Sequence, residues 1–163
     1  MYMERILKGI ELLPHTSERL KQNICMILAI LDSRLCDIDV EEIVSKATLL
    51  HATALLSKGT GFLTSKGCVV TAYHVVKGAH RIVGLTPHGS YLRLSLVKYH
   101  DKHDLALLEP ETCWSNGVNV EFKEGSQFSK GEVVFTLGYP LAYSGPEPVL
   151  TVGFLSNLQE KEG

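Results

Sequence analysis

A mainly β domain behind an α-helical N-terminal extension is the fold class that this 163-residue sequence predicts. Three observations predict it. From about residue 48 onward, short apolar runs are divided by glycine at close intervals, with no long helical pattern between them. Residues Tyr91–Tyr99 alternate with a period of two, placing Leu92, Leu94 and Leu96 on one face. Upstream, Leu20, Ile24, Ile27, Leu28, Leu31 and Leu35 recur at helical spacing instead.

The extension, residues 1–47, reads as two helices. The first is expected over 16–36, capped by Thr16 or Ser17, and the second from Asp39 to about Ala47, with Glu42 as capping-box partner. Helices of this kind either pack on the domain that follows or recruit a partner, and packing is the commoner use of an amphipathic helix. The domain then opens with the runs Ala52–Ser57, Thr60–Thr64 and Cys68–Ala72. They are separated by Ser57-Lys58-Gly59 and Ser65-Lys66-Gly67, both of hairpin-turn composition. Arg81–Thr86, the turn Pro87-His88-Gly89-Ser90, Tyr91–Tyr99 and Asp104–Leu108 complete a barrel or sandwich over 48–108. Residues 109–127 form a connector broken by Pro110, Asn116, Gly117 and Gly125. Two more strands, Glu132–Leu137 and Val149–Leu155, lie in 128–163.

Composition narrows the function. Apolar residues make up 45%, charged residues 21%, and the formal net charge is −2. That balance fits a core-forming globular chain and gives no clustered basic excess for nucleic acid or an anionic membrane. The octet Ile24–Leu31 is too short to span a bilayer, and it leads into Asp32-Ser33-Arg34 and not a small-residue cleavage site. The cysteines Cys25, Cys36, Cys68 and Cys113 form no C-x-x-C pair, and Cys25 and Cys36 would lie beyond disulfide reach in one helix. Free thiols and a cytoplasmic location are the expectation.

Three segments carry a family resemblance. Gly59–Val76 reads GTGFLTSKGCVVTAYHVV, Asp104–Leu108 reads DLALL, and Lys130–Pro140 reads KGEVVFTLGYP, followed by Val152-Gly153-Phe154-Leu155-Ser156. In that order, over about residues 50–156, they resemble the N-terminal half of a trypsin/chymotrypsin-like serine peptidase of the HtrA type. The resemblance implies a double β-barrel whose second barrel is truncated here. It implies peptide-bond hydrolysis through an acyl-enzyme, with no cofactor and a polypeptide as substrate or partner. His74 matches the general base and Asp104, thirty residues on, the carboxylate that orients it.

The chemistry requires those types. A hydroxyl becomes nucleophilic beside a neutral imidazole, and a carboxylate fixes the imidazole's tautomer and stabilises the imidazolium that forms. Tyr73 stands where the family usually has a small residue or asparagine. Val75 replaces the disulfide cysteine of many secreted animal relatives, which suits the bacterial-type branch.

The nucleophile is the missing element. Relatives carry it in G-D/N-S-G-G, and none of Ser115, Ser126, Ser129, Ser144 and Ser156 stands in such a context. Ser144-Gly145-Pro146 is the nearest imitation, and Cys113 falls in the connector. The expectation is a chain that is a poor protease alone, completed by a C-terminal half or held in a homo-oligomer, because two strands cannot close a barrel. The competing reading is a non-catalytic module that docks a peptide on its open strand edge. A third, a metal site at His100-x-x-His103 with Asp101 and Asp104, conflicts with a turn leading into a strand.

Overall fold

The computed structural model describes residues 2–114, 117–140, 145 and 147–158. Helix α1 (Tyr2–Lys21) leads into β1 (Ile24–Ile30), and the short helices α2 (Val40–Ser45) and α3 (Ala47–Ala52) follow. Strands β2 (Leu56–Leu63) and β3 (Val69–Thr71), the single-turn helix α4 (Tyr73–Val76), β4 (Arg81–Leu85), β5 (Tyr91–His100) and β6 (Leu105–Pro110) come next. After the connector come β7 (Val133–Gly138) and β8 (Val149–Phe154).

Six strands close a barrel in the order β1-β2-β3-β6-β5-β4, with every neighbouring pair antiparallel. The helix expected over 16–36 therefore ends at Lys21, and Ile24–Ile30 is a barrel strand lying before the expected domain start at residue 48. The reason is burial on both faces. Cys25, Ile27 and Ala29 point into the barrel with Leu63, Val69 and Leu108. Met26, Leu28 and Ile30 point outward beneath Ile43, Val44 and Leu50 of the α2–α3 pair. A strand covered on both sides is apolar at every position, and such a run carries no period to distinguish it from a buried helix.

The expected second helix divides in two. Asp39 caps α2 by accepting from the Glu41 N–H at 3.2 Å, whereas Glu42 pairs with Lys46 at 2.6 Å. Both short helices serve as the lid on the outer face of β1.

Ser57-Lys58-Gly59 is no turn. These residues lie inside β2, opposite Ala29, Leu28 and Ile27 of β1. Gly59 is there for space, since a Cβ on it would lie 2.6 Å from one γ-methyl of Val75 and 2.8 Å from the other. At Ser65–Gly67 and Pro87–Ser90 glycine does form turns, with Gly67 at φ 81° and Gly89 at φ 82°.

The connector is fixed by Asn23, which is 2% exposed. Its side-chain amide donates to Leu63 O (3.0 Å) and Val118 O (2.8 Å), and its Oδ1 accepts from Val118 N (2.8 Å). Strands β7 and β8 form a separate two-stranded antiparallel sheet. Val133, Phe135 and Leu137 lie opposite Phe154, Val152 and Leu150, making one apolar face. Helix α1 meets it where Gly9 abuts Val133, and Lys21 pairs with Glu147 at 3.1 Å. Leu150, Val152 and Phe154 stay 39–57% exposed. Among the described residues, no helix is long and apolar enough to cross a membrane.

Candidate active site

His74 lies on the single turn of α4, directly after β3, and Asp104 at the end of the turn joining β5 to β6. Residues thirty apart in sequence meet because β3 and β6 are hydrogen-bonded neighbours, with Thr71 opposite Ala106. Helix α4 has no side-chain cap of its own, since Ala72 occupies the N-cap position. Asp104 supplies the cap from the β5–β6 turn. Its Oδ1 accepts from the His74 backbone N–H (2.7 Å), its backbone oxygen accepts from Tyr73 N–H (3.1 Å), and its Oδ2 lies 2.6 Å from His74 Nδ1.

Two oxygens gripping one residue leave the carboxylate little rotational freedom. A carboxylate only accepts, so Nδ1 carries the proton and the Nε2 lone pair of the neutral ring is left for another partner. The His74 imidazole, and next its backbone N–H, hold the Asp104 carboxyl below its ordinary pKa.

The position of Asp104 costs strain. Its φ is 53°, in the left-handed region, which aspartate tolerates better than most residues. The turn around it is held by Asp104 N–H donating to Asp101 O and His103 N–H donating to His100 Nδ1, each at 3.2 Å. Both side chains of the pair are open to solvent, His74 at 73% and Asp104 at 47%.

The strand beneath is anchored by Thr60, which in the sequence reads as an ordinary strand residue. Thr71 Oγ1 donates to Thr60 O (2.8 Å), and Thr60 Oγ1 accepts from Tyr139 N–H (2.9 Å). One threonine thus ties the His74 strand to the end of β7. Tyr73, the departure from the family pattern, lays its ring on Tyr99, with centroids 4.2 Å apart and planes 6° from parallel. Val75 points into the barrel, and all four cysteines are free.

No hydroxyl or thiol among the described residues bonds to His74 Nε2. Ser126 sits in a 3-10 turn (Gly125–Gln127), and Ser115 and Ser144 lie outside the described residues. Cys113 lines a cleft with Leu92 and the Thr86–Ser90 turn, at the opposite end of the ten-residue β5 from the pair. The rings of His100 and His103 stack at 4.5 Å, and the described residues contain no group of three or more histidine, cysteine or acidic side chains placed to hold a metal.

Comparison with known proteins gives the family. The chain is 39% identical over 93 residues to the uncharacterized protein y4bJ of Sinorhizobium fredii, a match covering 55% of this chain and 14% of that protein. It is 29% identical over 108 residues to a probable periplasmic serine protease, do/HhoA-like, of Haemophilus influenzae, covering 66% of this chain and 22% of that protein. The chain thus spans under a quarter of the length of these curated relatives. The model of the trypsin-like peptidase domain matches residues 59–163, well over half of the chain and inclusive of both His74 and Asp104, and the chain belongs to that family of serine peptidases.

Proposed function

We propose that this chain carries the base and the orienting carboxylate of a trypsin-like serine endopeptidase, acting on polypeptides through an acyl-enzyme. In this reading His74 Nε2 takes the proton from the serine hydroxyl as it attacks the carbonyl, and later returns it to the leaving amine. Asp104 holds the Nδ1–H tautomer and stabilises the imidazolium in between. The serine and the oxyanion-hole donors come from polypeptide beyond the described residues. β7 and β8 are read as the opening strands of the second barrel. The observation that carries this reading is the two-point grip of Asp104 on His74, at 2.6 and 2.7 Å. An aspartate serving only as a turn residue has no need of the imidazole.

The test is to join the chain to a serine-bearing second barrel from an HhoA-like relative and follow cleavage of casein. Cleavage that disappears in His74→Ala and falls sharply in Asp104→Asn is the expected result. Equal cleavage without His74 would sink the assignment.

A second reading is favoured by a different observation, the exposed Leu150, Val152 and Phe154 on β8. It makes the chain a non-catalytic module that binds an extended peptide or a second copy along that strand. Under it, the joined protein stays inactive while β8 amides gain protection on peptide binding. The four free thiols support a reducing compartment such as the cytoplasm.

A further inference from the structure

We infer that Tyr73 and Tyr99 form a brace that positions the His74–Asp104 pair, a device that rests on the catalytic reading above and adds two residues to it. The two segments carrying the pair have little local stability. Helix α4 is one turn of four residues, and a single turn does not hold itself together in water. Asp104 ends a tight turn with a left-handed backbone. Solvent also reaches both side chains and competes for their hydrogen bond.

The brace joins these two segments in addition to the hydrogen bonds between His74 and Asp104. Tyr99 is the next-to-last residue of β5, just before the turn that carries Asp104, and Tyr73 is the residue before His74. Their rings stack at 4.2 Å and 6°. Lys77, one turn beyond Tyr73, places its ammonium 5.7 Å from the centre of the Tyr73 ring and 3.9 Å from Asp101 Oδ1. The contacts therefore run from β5 to α4 and back to the β5–β6 turn, linking the two segments that carry the pair. Tyr73 packs against the edge of the barrel core while Tyr99 is 54% exposed, so the stack carries the core's outer edge into solvent beside the pair.

A backbone irregularity aims Tyr99 at this task. Leu92, Leu94 and Leu96 alternate on one side of β5, a phase that would put Tyr99 on the opposite side. The register breaks between Leu96 and Lys98: Leu96 pairs with Leu108, Lys98 with Leu107 and Tyr99 with Ala106. Val97 is the extra residue, and after it Tyr99 shares the face of buried Ala106, the side on which Tyr73 lies. Bulges re-aim side chains in this way.

The test reads the tautomer of His74 in the full-length chain, by long-range proton–nitrogen NMR of the imidazole at about pH 8, where an ordinary imidazole is neutral. His74→Ala assigns the signals, and the exposed His88 ring serves as internal reference. In the parent protein His74 shows the Nδ1–H form imposed by Asp104. Tyr73→Phe and Tyr99→Phe keep the stack and retain that form. Tyr73→Ala and Tyr99→Ala lose it, with His74 reverting to the tautomer mixture of His88, and the double variant is no worse than either single one. Tyr91→Ala, at the far end of the same strand, leaves His74 unchanged. Should Tyr99→Ala fail to fold, Tyr99→Leu keeps apolar bulk without a ring and is expected to show the same loss. Retention of the Nδ1–H form in Tyr99→Ala or Tyr99→Leu overturns the brace alone, as does its loss in the phenylalanine variants. A parent protein in which His74 already matches His88 overturns the catalytic pair and the brace together.

Discussion

Replacing Gly59 with alanine adds one carbon at the closest approach between the barrel wall and the helix that carries His74. That carbon would sit 2.6 and 2.8 Å from the two γ-methyls of Val75. Ordinary carbon–carbon contacts are about 3.5–4.0 Å, so roughly 1 Å must be found. Neither side yields it readily. Gly59 is held in β2 opposite Ile27, and Val75 is 4% exposed, β-branched and therefore stiff at χ1. Overpacking of this kind costs about 2 kcal/mol. Gly59 has no positive φ, so alanine recovers about 0.7 kcal/mol by restricting the unfolded chain.

The net loss is about 1.3 kcal/mol, which at a urea slope of about 2 kcal/mol/M lowers the unfolding midpoint by about 0.6 M. Trp114, the single tryptophan, packs against the barrel core and reports the transition by fluorescence. The decisive control is Val75→Ala, which removes both clashing methyls. In that background only the Cβ at position 75, at 3.3 Å, stays close, and Gly59→Ala is expected to be nearly neutral, a coupling of about 1 kcal/mol between the two sites. Additive effects would refute the steric argument, because nothing else links the two substitutions.

Asp104→Asn removes a carboxyl whose pKa is depressed in the folded protein. A depressed folded pKa means that the carboxylate's contribution is complete above the unfolded value of about 3.9 and is lost as pH falls through the lower folded value. The variant should therefore lose stability at neutral pH and show a flatter dependence in that acid window, as read by urea midpoints at stepped pH. For Asn23→Ala, three hydrogen bonds disappear and the Val118 N–H loses its partner, at a cost of about 2–3 kcal/mol measured by urea unfolding. The connector amides near Val118 should lose exchange protection first. Burial pushes the Cys25 thiol up to about 12, so it should resist a thiol-specific reagent in the native protein, while exposed Cys113 reacts rapidly. All four thiols should react in denaturant; fewer would contradict the free-cysteine assignment.

The sequence by itself determined what is written locally. The G-T-G-F and T-A-Y-H-V segments, D-L-A-L-L and the K-G-E-V-V-F strand established the family because each is a contiguous run whose residue types are tied to a task. The turns at Gly67 and Gly89 were legible too, since glycine is the residue that takes a positive φ without steric cost. Tertiary structure alone decided the rest. Ile24–Ile30 became a strand because α2 and α3 cover one face and the barrel the other, which erased the alternation that marks a half-buried strand. Gly59 reads in sequence as a turn glycine, but its role is to make room for Val75, sixteen residues away, and a missing side chain leaves no record of which neighbour required its absence. The site followed the same division. His74 and Asp104 could be named from their motifs, whereas Thr60, Tyr99 and the left-handed backbone of Asp104 act through partners on other elements, and those contacts exist only once the barrel has closed.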